Sequence, residues 1–376
     1  MTDPGTTIEE AAWLTPAVRA LPPHHAPQTH AELATAETPQ RALHLNESPY
    51  PPSPRAIAAA EAALHDLNRY PDTRCGALAA AIAARTGVPA ARIVFGVGSD
   101  ELINVIAEMS LKPGDRCVAP APSFPRYLVS TRLQGAVPVR VALDRDGAAD
   151  GAALAAAVDA RTPLVFACTP NPPSGGMMSG AALDAVVDGV PATTLLVIDE
   201  AYHEFGRHAG GPDVLARLAR RRGPWIVLRT FSKAYCLAGL RIGYALCGSA
   251  LEAEGLRRAK MQFNVTAVAQ AAALAAYADE AYLRSTLDAV ARERARLGDG
   301  LRALQLRVYP SAANFLSVDL GVPAQPVMQA LAARGIHVRD WRDPGHLTQL
   351  RITIGLPADT DAVLDALPAA LQGTPR

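Results

Sequence analysis

Short apolar runs alternate with helix-forming segments along the middle of this 376-residue chain, and this alternation constrains its fold most. Runs rich in Val, Ile and Leu recur between residues 93 and 246. Strands that alternate with helices form a mostly parallel sheet that is covered on both faces. Ligands of such sheets bind at the carboxyl ends of the strands. The sequence therefore predicts an α/β fold with a site at that edge.

The pattern also predicts how the chain is divided. Strands are predicted at 93–97, 117–119, 138–141, 164–167, 195–199, 225–228 and 242–246, and helices at 55–67, 76–85, 101–110, 125–134 and 181–188. After about residue 262, helices at 265–278 and 280–303 precede short strands at 314–318 and 349–354, which is typical of a smaller α+β domain. Residues 1–40 predict an extended arm with at most one short helix. We expect an arm (1–44), a large domain (45–262) and a small C-terminal domain (263–376).

Composition argues against several classes of protein. The 36 basic residues balance 36 acidic ones, whereas nucleic-acid-binding proteins usually have a basic excess. The five cysteines include no CxxC pair, so neither a disulfide framework nor a zinc knuckle is indicated. The histidines of HEFGRH are five residues apart, unlike those of HExxH, and we expect no metal site. The sequence has no transmembrane-length apolar run and no signal peptide, which predicts a cytoplasmic protein without a membrane partner.

The stretch RTFSKAYCLAGLRIGY, residues 229–244, places Lys233 in a loop after a predicted strand. A lone loop lysine is normally a solvated surface charge. Here Thr230 and Ser232 supply hydroxyl groups, and Arg241 suits a bidentate phosphate contact. These residues fit an aldehyde cofactor that carries a phosphate, because the lysine can form a Schiff base while the other groups hold the phosphate.

This stretch closely resembles the pyridoxal 5′-phosphate (PLP) lysine segment of fold-type I aminotransferases, and it is most similar to the histidinol-phosphate aminotransferase branch. The segments NRYPD, GSDE, IDEAY and LRITIG follow in the family's order between about residues 43 and 354. The resemblance implies PLP as cofactor. It also implies a large domain with a mostly parallel seven-stranded sheet between helices, and a smaller α+β C-terminal domain.

Three residues carry the expected catalysis. Asp199 ends the apolar run TLLVID, where a carboxylate is costly unless it has a charged partner. An N-cap or a loop salt bridge is the alternative interpretation. The resemblance implies that Asp199 pairs with the protonated pyridine nitrogen, that Tyr202 donates to the phenolic oxygen of the cofactor, and that Lys233 is the general base.

A phosphate-binding turn is predicted at FGVGSDEL, residues 95–102, where a strand and a glycine turn precede a helix with free N–H groups. The turn has two glycines and lacks the third of a dinucleotide fingerprint, so a nicotinamide cofactor is disfavoured. The resemblance implies that six residues hold the phosphate: Ser99, Asp100, Thr230, Ser232, Arg241 and Tyr70. Tyr70 would reach the cofactor of the neighbouring subunit, which implies a homodimer with shared sites.

Two loops complete the expected cofactor site. Phe124, in PAPSFPRY, matches the family's aromatic ring on the pyridine, whereas from the residues alone a core phenylalanine would be the better interpretation. TPNPPSGG resembles the family's NPNNPTG but has Pro172 in place of the asparagine that donates to the phenolic oxygen. Proline has neither an amide side chain nor an N–H group. Either Asn171 serves instead, or the contact is lost.

The substrate residues are also implied by the resemblance. Arg339 and Arg351 lie in or beside predicted strands, where arginine is uncommon unless it is paired. They match the family's two arginines for substrate anions. Asn46 is a further expected substrate residue, and in LPPHHAP His24 or His25 falls near the position of a substrate-contacting tyrosine in relatives.

The expected function is transfer of an amino group from histidinol phosphate to 2-oxoglutarate, in histidine biosynthesis. The sequence leaves the amino donor and the 2-oxo acid acceptor open. One alternative is an aromatic or other amino-acid aminotransferase of the same branch in a specialised pathway, and another is a decarboxylase of the threonine-phosphate type. A non-catalytic PLP-binding protein is disfavoured because the lysine, aspartate and arginine set is intact.

Overall fold

A computed structural model describes residues 8, 11–23, 26, 28–33 and 39–373. The described part of the N-terminal arm contains two short helices, α1 (Pro16–Arg19) and α2 (His30–Leu33), where the sequence predicted at most one. A two-residue strand, β1 (Arg41–Ala42), follows.

Helices and strands then alternate as the sequence pattern predicts. The elements are α3 (Pro54–Ala63), α4 (Gly76–Thr86), β2 (Ile93–Gly96), α5 (Gly98–Ser110), β3 (Arg116–Ala121), α6 (Arg126–Leu133), β4 (Val137–Ala142), α7 (Gly151–Ala156), β5 (Leu164–Cys168), α8 (Gly180–Gly189), β6 (Leu195–Asp199), α9 (His203–His208), α10 (Val214–Leu218), β7 (Trp225–Thr230) and β8 (Gly243–Cys247). One-turn 3₁₀ helices occur at Leu64–Asp66, Ala90–Arg92 and Ala238–Leu240.

Strands β2 to β8 form one sheet in the order β2-β8-β7-β6-β5-β3-β4. Strand β8 is antiparallel to both of its neighbours, and the remaining pairs are parallel. Every residue of β5, β6, β7 and β8 is buried, as expected for strands that helices cover on both faces. The predicted α/β fold with a mostly parallel seven-stranded sheet is confirmed.

The rest of the chain forms helices and a smaller sheet. The elements are α11 (Ala250–Ala259), α12 (Ala267–Ala278), α13 (Glu280–Ala303), β9 (Arg307–Val308), β10 (Phe315–Asp319), α14 (Ala324–Ala332), β11 (Ile336–His337), β12 (Arg339–Asp340), β13 (Gln349–Thr353) and α15 (Pro357–Gln372). Strands β12-β13-β10-β9 form an antiparallel sheet in that order. The buried apolar residues of β10, α14 and α15 pack into a second core, which also includes Leu43, Tyr202, Phe205 and Ala234.

The topology brings two regions of the chain to one edge of the large sheet. Cys168 at the end of β5 is paired with Asp199 at the end of β6, and Asp199 is paired in turn with Leu228 on β7. Strand β1 pairs in parallel with β11, and the N–H of Thr353 donates to the carbonyl of Leu43 at 2.9 Å. The segment after β1 therefore lies between the large sheet and the small one. In the described residues, no helix has the length and apolarity needed to cross a membrane.

Candidate active site

Lys233 lies in the loop after β7, at the carboxyl edge of the large sheet. Its side chain is half-buried, and Nζ donates to the carbonyl of Leu45 at 3.3 Å. Burial lowers the pKa of Lys233 to about 8, and the nearby positive charge of Arg351 lowers it further in the same direction. A larger fraction of this amine than of an ordinary lysine is therefore uncharged near neutral pH, and the uncharged amine is the form that attacks a carbonyl carbon.

Asp199 ends β6 as a buried carboxylate with 2% exposure. The N–H of Ala201 donates to Oδ1 at 2.9 Å, and the hydroxyl of Tyr127 donates to Oδ2 at 2.6 Å. Burial raises the pKa of Asp199 to about 6, although both donors act against this. Within the described chain Asp199 makes no ion pair with a basic side chain, so its carboxylate suits a cationic ligand group such as a protonated pyridine nitrogen.

The start of helix α5 forms a cradle for an anion. No side chain caps its first turn, which leaves the N–H groups of that turn available. A Cβ atom on Gly98 would lie 2.8 Å from Nη2 of Arg241, so only glycine lets the guanidinium approach the helix start this closely. A Cβ atom on Gly243 would lie 2.6 Å from the backbone nitrogen of Ser99. Free N–H groups beside a guanidinium fit a phosphate.

The remaining predicted phosphate residues on this chain lie at the same edge. The hydroxyl of Thr230 donates to that of Ser232 at 3.0 Å, and both residues are buried in the loop that carries Lys233. Asp100 forms an ion pair with Arg126 at 2.9 Å. Its carboxylate is thereby neutralised, and Asp100 can contribute its backbone N–H group to an anion.

Tyr202 and Asn46 are in direct contact. Nδ2 of Asn46 donates to the hydroxyl oxygen of Tyr202 at 2.8 Å, and Oδ1 of Asn46 accepts from the hydroxyl of Thr353 at 3.2 Å. Tyr202 is 4% exposed, and burial raises its pKa to about 12. The phenol therefore stays protonated, and because its oxygen accepts from Asn46, its own hydrogen remains directed to another acceptor.

Asn171 is completely buried, and its side chain is fully used within the protein. Nδ2 donates to the carbonyl of Pro122 at 3.1 Å and to the hydroxyl of Ser174 at 3.0 Å, while Oδ1 accepts from the hydroxyl of Ser123 at 2.6 Å. No N–H of this amide is left for a ligand in this conformation. Asn171 therefore anchors the loop that precedes Phe124 in this conformation.

Phe124 is half-buried at the carboxyl edge of β3. Its ring meets that of Tyr127 edge-on, with centroids 5.9 Å apart and an interplanar angle of 81°. The ring packs against the buried core of the large sheet, and its expected contact with the pyridine ring stays a prediction.

The two predicted substrate arginines are opposite each other on the small sheet. Arg339 on β12 and Arg351 on β13 are paired residues of an antiparallel ladder. Neither forms an ion pair with a carboxylate in the described chain, and Nη2 of Arg351 donates to the carbonyl of His44. Burial lowers the pKa of Arg351 to about 10, and Arg339 acts in the same direction. Two guanidinium groups without carboxylate partners suit an anionic ligand.

Two predicted residues lie elsewhere. Tyr70 is 81% exposed, and its ring stacks on that of Phe263 with centroids 4.5 Å apart, so it lies on the surface of this chain. His24 lies outside the described residues. Among the residues that the structure describes, no group of three or more His, Cys, Asp or Glu side chains could hold a metal ion.

Two residues near the site were given no role from the sequence. Tyr127 donates to Asp199, and its only local signal is the three-residue spacing from Phe124 at the start of α6. His44 is 6% exposed and lies beside Arg351, with Nε2 2.7 Å from the carbonyl oxygen of Gln28 and Nδ1 without a partner.

A reactive lysine, a buried carboxylate and an anion cradle at the carboxyl edge of a seven-stranded sheet define a fold-type I enzyme that uses an aldehyde cofactor with a phosphate. The residues present fit PLP, since each polar part of that molecule has a matching group.

Comparison with known proteins identifies the family. The family model "Aminotransferase class I and II" matches residues 39–367, and the chain belongs to this family. Histidinol-phosphate aminotransferase 2 of Pseudomonas aeruginosa is 41% identical over 325 residues, 86% of this chain and 87% of that protein. An aromatic amino acid aminotransferase of Rhodococcus opacus is 42% identical over 322 residues, 86% of this chain and 88% of that protein.

A solved structure agrees with both the family and the cofactor. Histidinol-phosphate aminotransferase from Sinorhizobium meliloti, solved in complex with pyridoxal 5′-phosphate, superimposes with a TM-score of 0.88 at 30% identity, covering 96% of this chain and 98% of that one. The expectation of a fold-type I aminotransferase with PLP as its cofactor is thereby confirmed.

Proposed function

We propose that this enzyme is a histidinol-phosphate aminotransferase that passes the amino group to 2-oxoglutarate, as part of histidine biosynthesis. The observation that carries this proposal is the proximity of Lys233 to Arg351, whose charge lowers the pKa of the lysine. Lys233 supplies an amine, and beside it Arg351 supplies a guanidinium group that has no carboxylate partner in the described chain. This pair matches a substrate that carries an anionic group some distance from its reacting nitrogen.

When bound, PLP supplies an aldehyde that takes up the substrate nitrogen and a ring that withdraws electrons from the substrate Cα. Nζ of Lys233 would hold the aldehyde carbon, and the same amine would serve as the general base for the proton on the substrate Cα. The Asp199 carboxylate would keep the pyridine nitrogen protonated, and Tyr202 would donate its hydroxyl hydrogen to the phenolic oxygen. Phe124 would cover one face of the ring.

The phosphate of the cofactor is held at the start of α5. The N–H groups of Ser99 and Asp100, the hydroxyls of Thr230 and Ser232, and the guanidinium of Arg241 would contact it. Asn171 supports this site indirectly through the loop of Phe124.

The small sheet binds the substrate anion in this proposal. Arg339 and Arg351 take the phosphate of histidinol phosphate in one half-reaction and the carboxylates of the 2-oxo acid in the other. Asn46, which contacts Tyr202, lies between this anion site and the cofactor. His24 is proposed as a further substrate residue from the sequence resemblance alone.

A second candidate substrate is an aromatic amino acid. The relative of Rhodococcus opacus with that name is as similar to this chain as the histidinol-phosphate relative is. The same two arginines would then bind the carboxylate of the amino acid in place of a phosphate.

The proposal includes a cytoplasmic homodimer in which Tyr70 reaches the cofactor phosphate of the other subunit. Its support is the 81% exposure of Tyr70, which leaves the hydroxyl outside the site of its own chain. We also propose the division into an arm (1–44), a large domain (45–262) and a small domain (263–376).

Lys233→Ala tests the central assignment. The variant should fold, and it should lose transamination because it lacks both the Schiff-base nitrogen and the general base. Borohydride reduction of the wild-type protein should fix PLP on the peptide that contains Lys233, which mass spectrometry would identify. Labelling of another lysine would contradict the assignment.

A screen of amines then separates the two substrates. Histidinol phosphate should bleach the visible band of the PLP-loaded protein at lower concentration than phenylalanine does. The reverse order would favour the aromatic amino acid.

A further inference from the structure

The hydroxyl of Tyr127 donates to the carboxylate of Asp199, and the thiol of Cys168 lies close to the same hydroxyl. Tyr127 and Asp199 are 72 positions apart in the chain, and both are almost completely buried, at 1% and 2% exposure. Their contact is 2.6 Å long, in the range of a hydrogen bond to an ionised acceptor. Burial raises the pKa of Tyr127 well above that of an ordinary phenol, so this group is a donor at any working pH.

The ring of Tyr127 is fixed on both sides. It stacks on Phe166 of β5, with centroids 4.6 Å apart and planes 15° from parallel, and it meets Phe124 edge-on. The hydroxyl of Thr131 also donates to its backbone carbonyl at 2.7 Å. The phenol therefore has little rotational freedom, and it can hold the carboxylate of Asp199 in one orientation.

We propose that Tyr127 is a positioning residue that locks the carboxylate of Asp199 and the ring of Phe124 into one rigid unit. This inference rests on the proposed function, in which the carboxylate meets the edge of the pyridine ring and Phe124 meets its face. A ligand ring that meets Asp199 at its edge and Phe124 at its face needs both groups to be correctly oriented. Tyr127 contacts both of them.

The protonation of Asp199 depends on the same contact. The other titratable groups near its carboxylate are Cys168 on β5, Glu200 and Tyr202 after β6, and Asp100 on α5. None of these is a cation, and the hydrogen bonds from Tyr127 and the N–H of Ala201 are the main influences that favour the ionised form. Without the phenol, the pKa of Asp199 rises, and a larger fraction of the apo-protein carries the neutral acid near pH 7.

The test is binding of PLP to the apo-protein as a function of pH, followed by fluorescence or equilibrium dialysis. Tyr127→Phe keeps the ring and removes the hydroxyl. We expect affinity at pH 7 to fall on the order of tenfold, and the acidic limb of the binding curve to move to higher pH. The matched control is Tyr277→Phe, because Tyr277 is also buried but is not among the groups near Asp199. It should match the wild type.

Two further measurements test the inference in other ways. In an Asp199→Asn background, Tyr127→Phe should change affinity far less than it does in the wild type, because its partner is gone. If Tyr127→Phe does not fold, 3-fluorotyrosine at position 127 replaces it. The more acidic phenol is a stronger donor and should move the acidic limb to lower pH.

The inference is overturned if Tyr127→Phe binds PLP as the wild type and Tyr277→Phe do at every pH. It is also overturned if fluorotyrosine leaves the acidic limb of the binding curve unmoved. Either result leaves the proposed function intact. Failure of the wild-type apo-protein to bind PLP would overturn the proposed function itself and the inference with it.

Discussion

At the scale of single residues, the most unusual residue of this site is Pro172. The asparagine of relatives is missing there, and the neighbouring Asn171 has both of its N–H bonds committed to Pro122 and Ser174. In the proposed function, Tyr202 is then the side chain left to donate to the phenolic oxygen of PLP. Its hydroxyl is well prepared for this, because Asn46 already donates to its oxygen.

Pro172→Asn should therefore lower the pH at which the visible band of the PLP-loaded protein changes. A second donor to the phenolic oxygen stabilises its anionic form, and a bond worth roughly 1.5–3 kcal/mol moves a pKa by about one to two units. The measurement is a pH titration of that band in both proteins. Circular dichroism must first show that the variant folds, because loss of a proline also frees the unfolded chain. An unchanged midpoint, with a large rise on Asn171→Ala, would show that Asn171 already donates.

Arg351→Ala should raise KM for both substrates more than it weakens PLP binding. A charge-assisted contact to an anion contributes roughly 1.5–3 kcal/mol, so a loss of about ten- to hundredfold is expected. Arg342→Ala is the control, since Arg342 lies just after the neighbouring strand β12 but is already paired with Asp340 at 2.9 Å. Steady-state kinetics and PLP titration separate the two effects. A change in cofactor affinity alone would remove Arg351 from the substrate site.

At the scale of elements, apolar runs in the sequence locate the large sheet well. Residues 195–199 and 280–303 were predicted as strand and helix with the bounds of β6 and α13. The two-residue strands β9, β11 and β12 were missed, because pairing with distant segments defines them and no periodic pattern does. Helix α15 was also missed, and it contains Pro368, a residue that normally argues against a helix interior.

Some residues of the candidate site are predictable from local sequence, and others are not. Lys233 is recognisable as a lysine among hydroxyl residues, and Asp199 as a carboxylate that ends an apolar strand. The bond from Tyr127 to Asp199 spans 72 residues and leaves no local pattern, so the fold alone reveals it. The two hydrogen bonds that the side-chain amide of Asn171 donates likewise depend on how the loops pack, and no local sequence pattern indicates them.

The ends of β6 and β7 are joined by a buried ion pair. Nη2 of Arg229 contacts Oε2 of Glu200 at 2.7 Å, with side chains 6% and 4% exposed, and His203 contacts the other oxygen at 3.1 Å. Burial raises the pKa of Glu200, but the charges of Arg229 and His203 and the hydrogen bonds from both side chains together outweigh it and lower the pKa to about 2. The stability from this carboxylate is present above its unfolded pKa of about 4.3 and is lost as pH falls toward 2.

Arg229→Met should cost about 3–5 kcal/mol of stability at pH 7, because it leaves Glu200 buried and charged. The deficit should shrink on acidification, since a protonated Glu200 needs no cation. The double variant Arg229→Met with Glu200→Leu should recover much of the loss. Urea unfolding of the three proteins at pH 7 and pH 5 measures this. Equal destabilisation by the single and double variants would mean that packing, and not charge, links the two strands.

At the scale of the whole molecule, this chain exposes apolar side chains in two segments that meet. Ile57, Leu64 and Leu67 are 42%, 52% and 59% exposed, and Tyr70 follows them and stacks on Phe263. Exposed apolar side chains that cluster on the surface of a folded protein mark an interaction site. A second copy of the chain is the occupant proposed above, and it places Tyr70 at the other subunit's cofactor.

Subunit mixing tests that arrangement. Tyr70→Phe and Lys233→Ala homodimers each have two impaired sites. After subunit exchange, a heterodimer with shared sites has one site with both lesions and one with neither, so an equal mixture should regain about a quarter of wild-type activity. The control mixture pairs Arg351→Ala with Lys233→Ala. These two residues serve one site of one chain, so every site of that heterodimer keeps a lesion and no activity should return. Recovery in the control, or none with Tyr70→Phe, would contradict a tyrosine that crosses the interface.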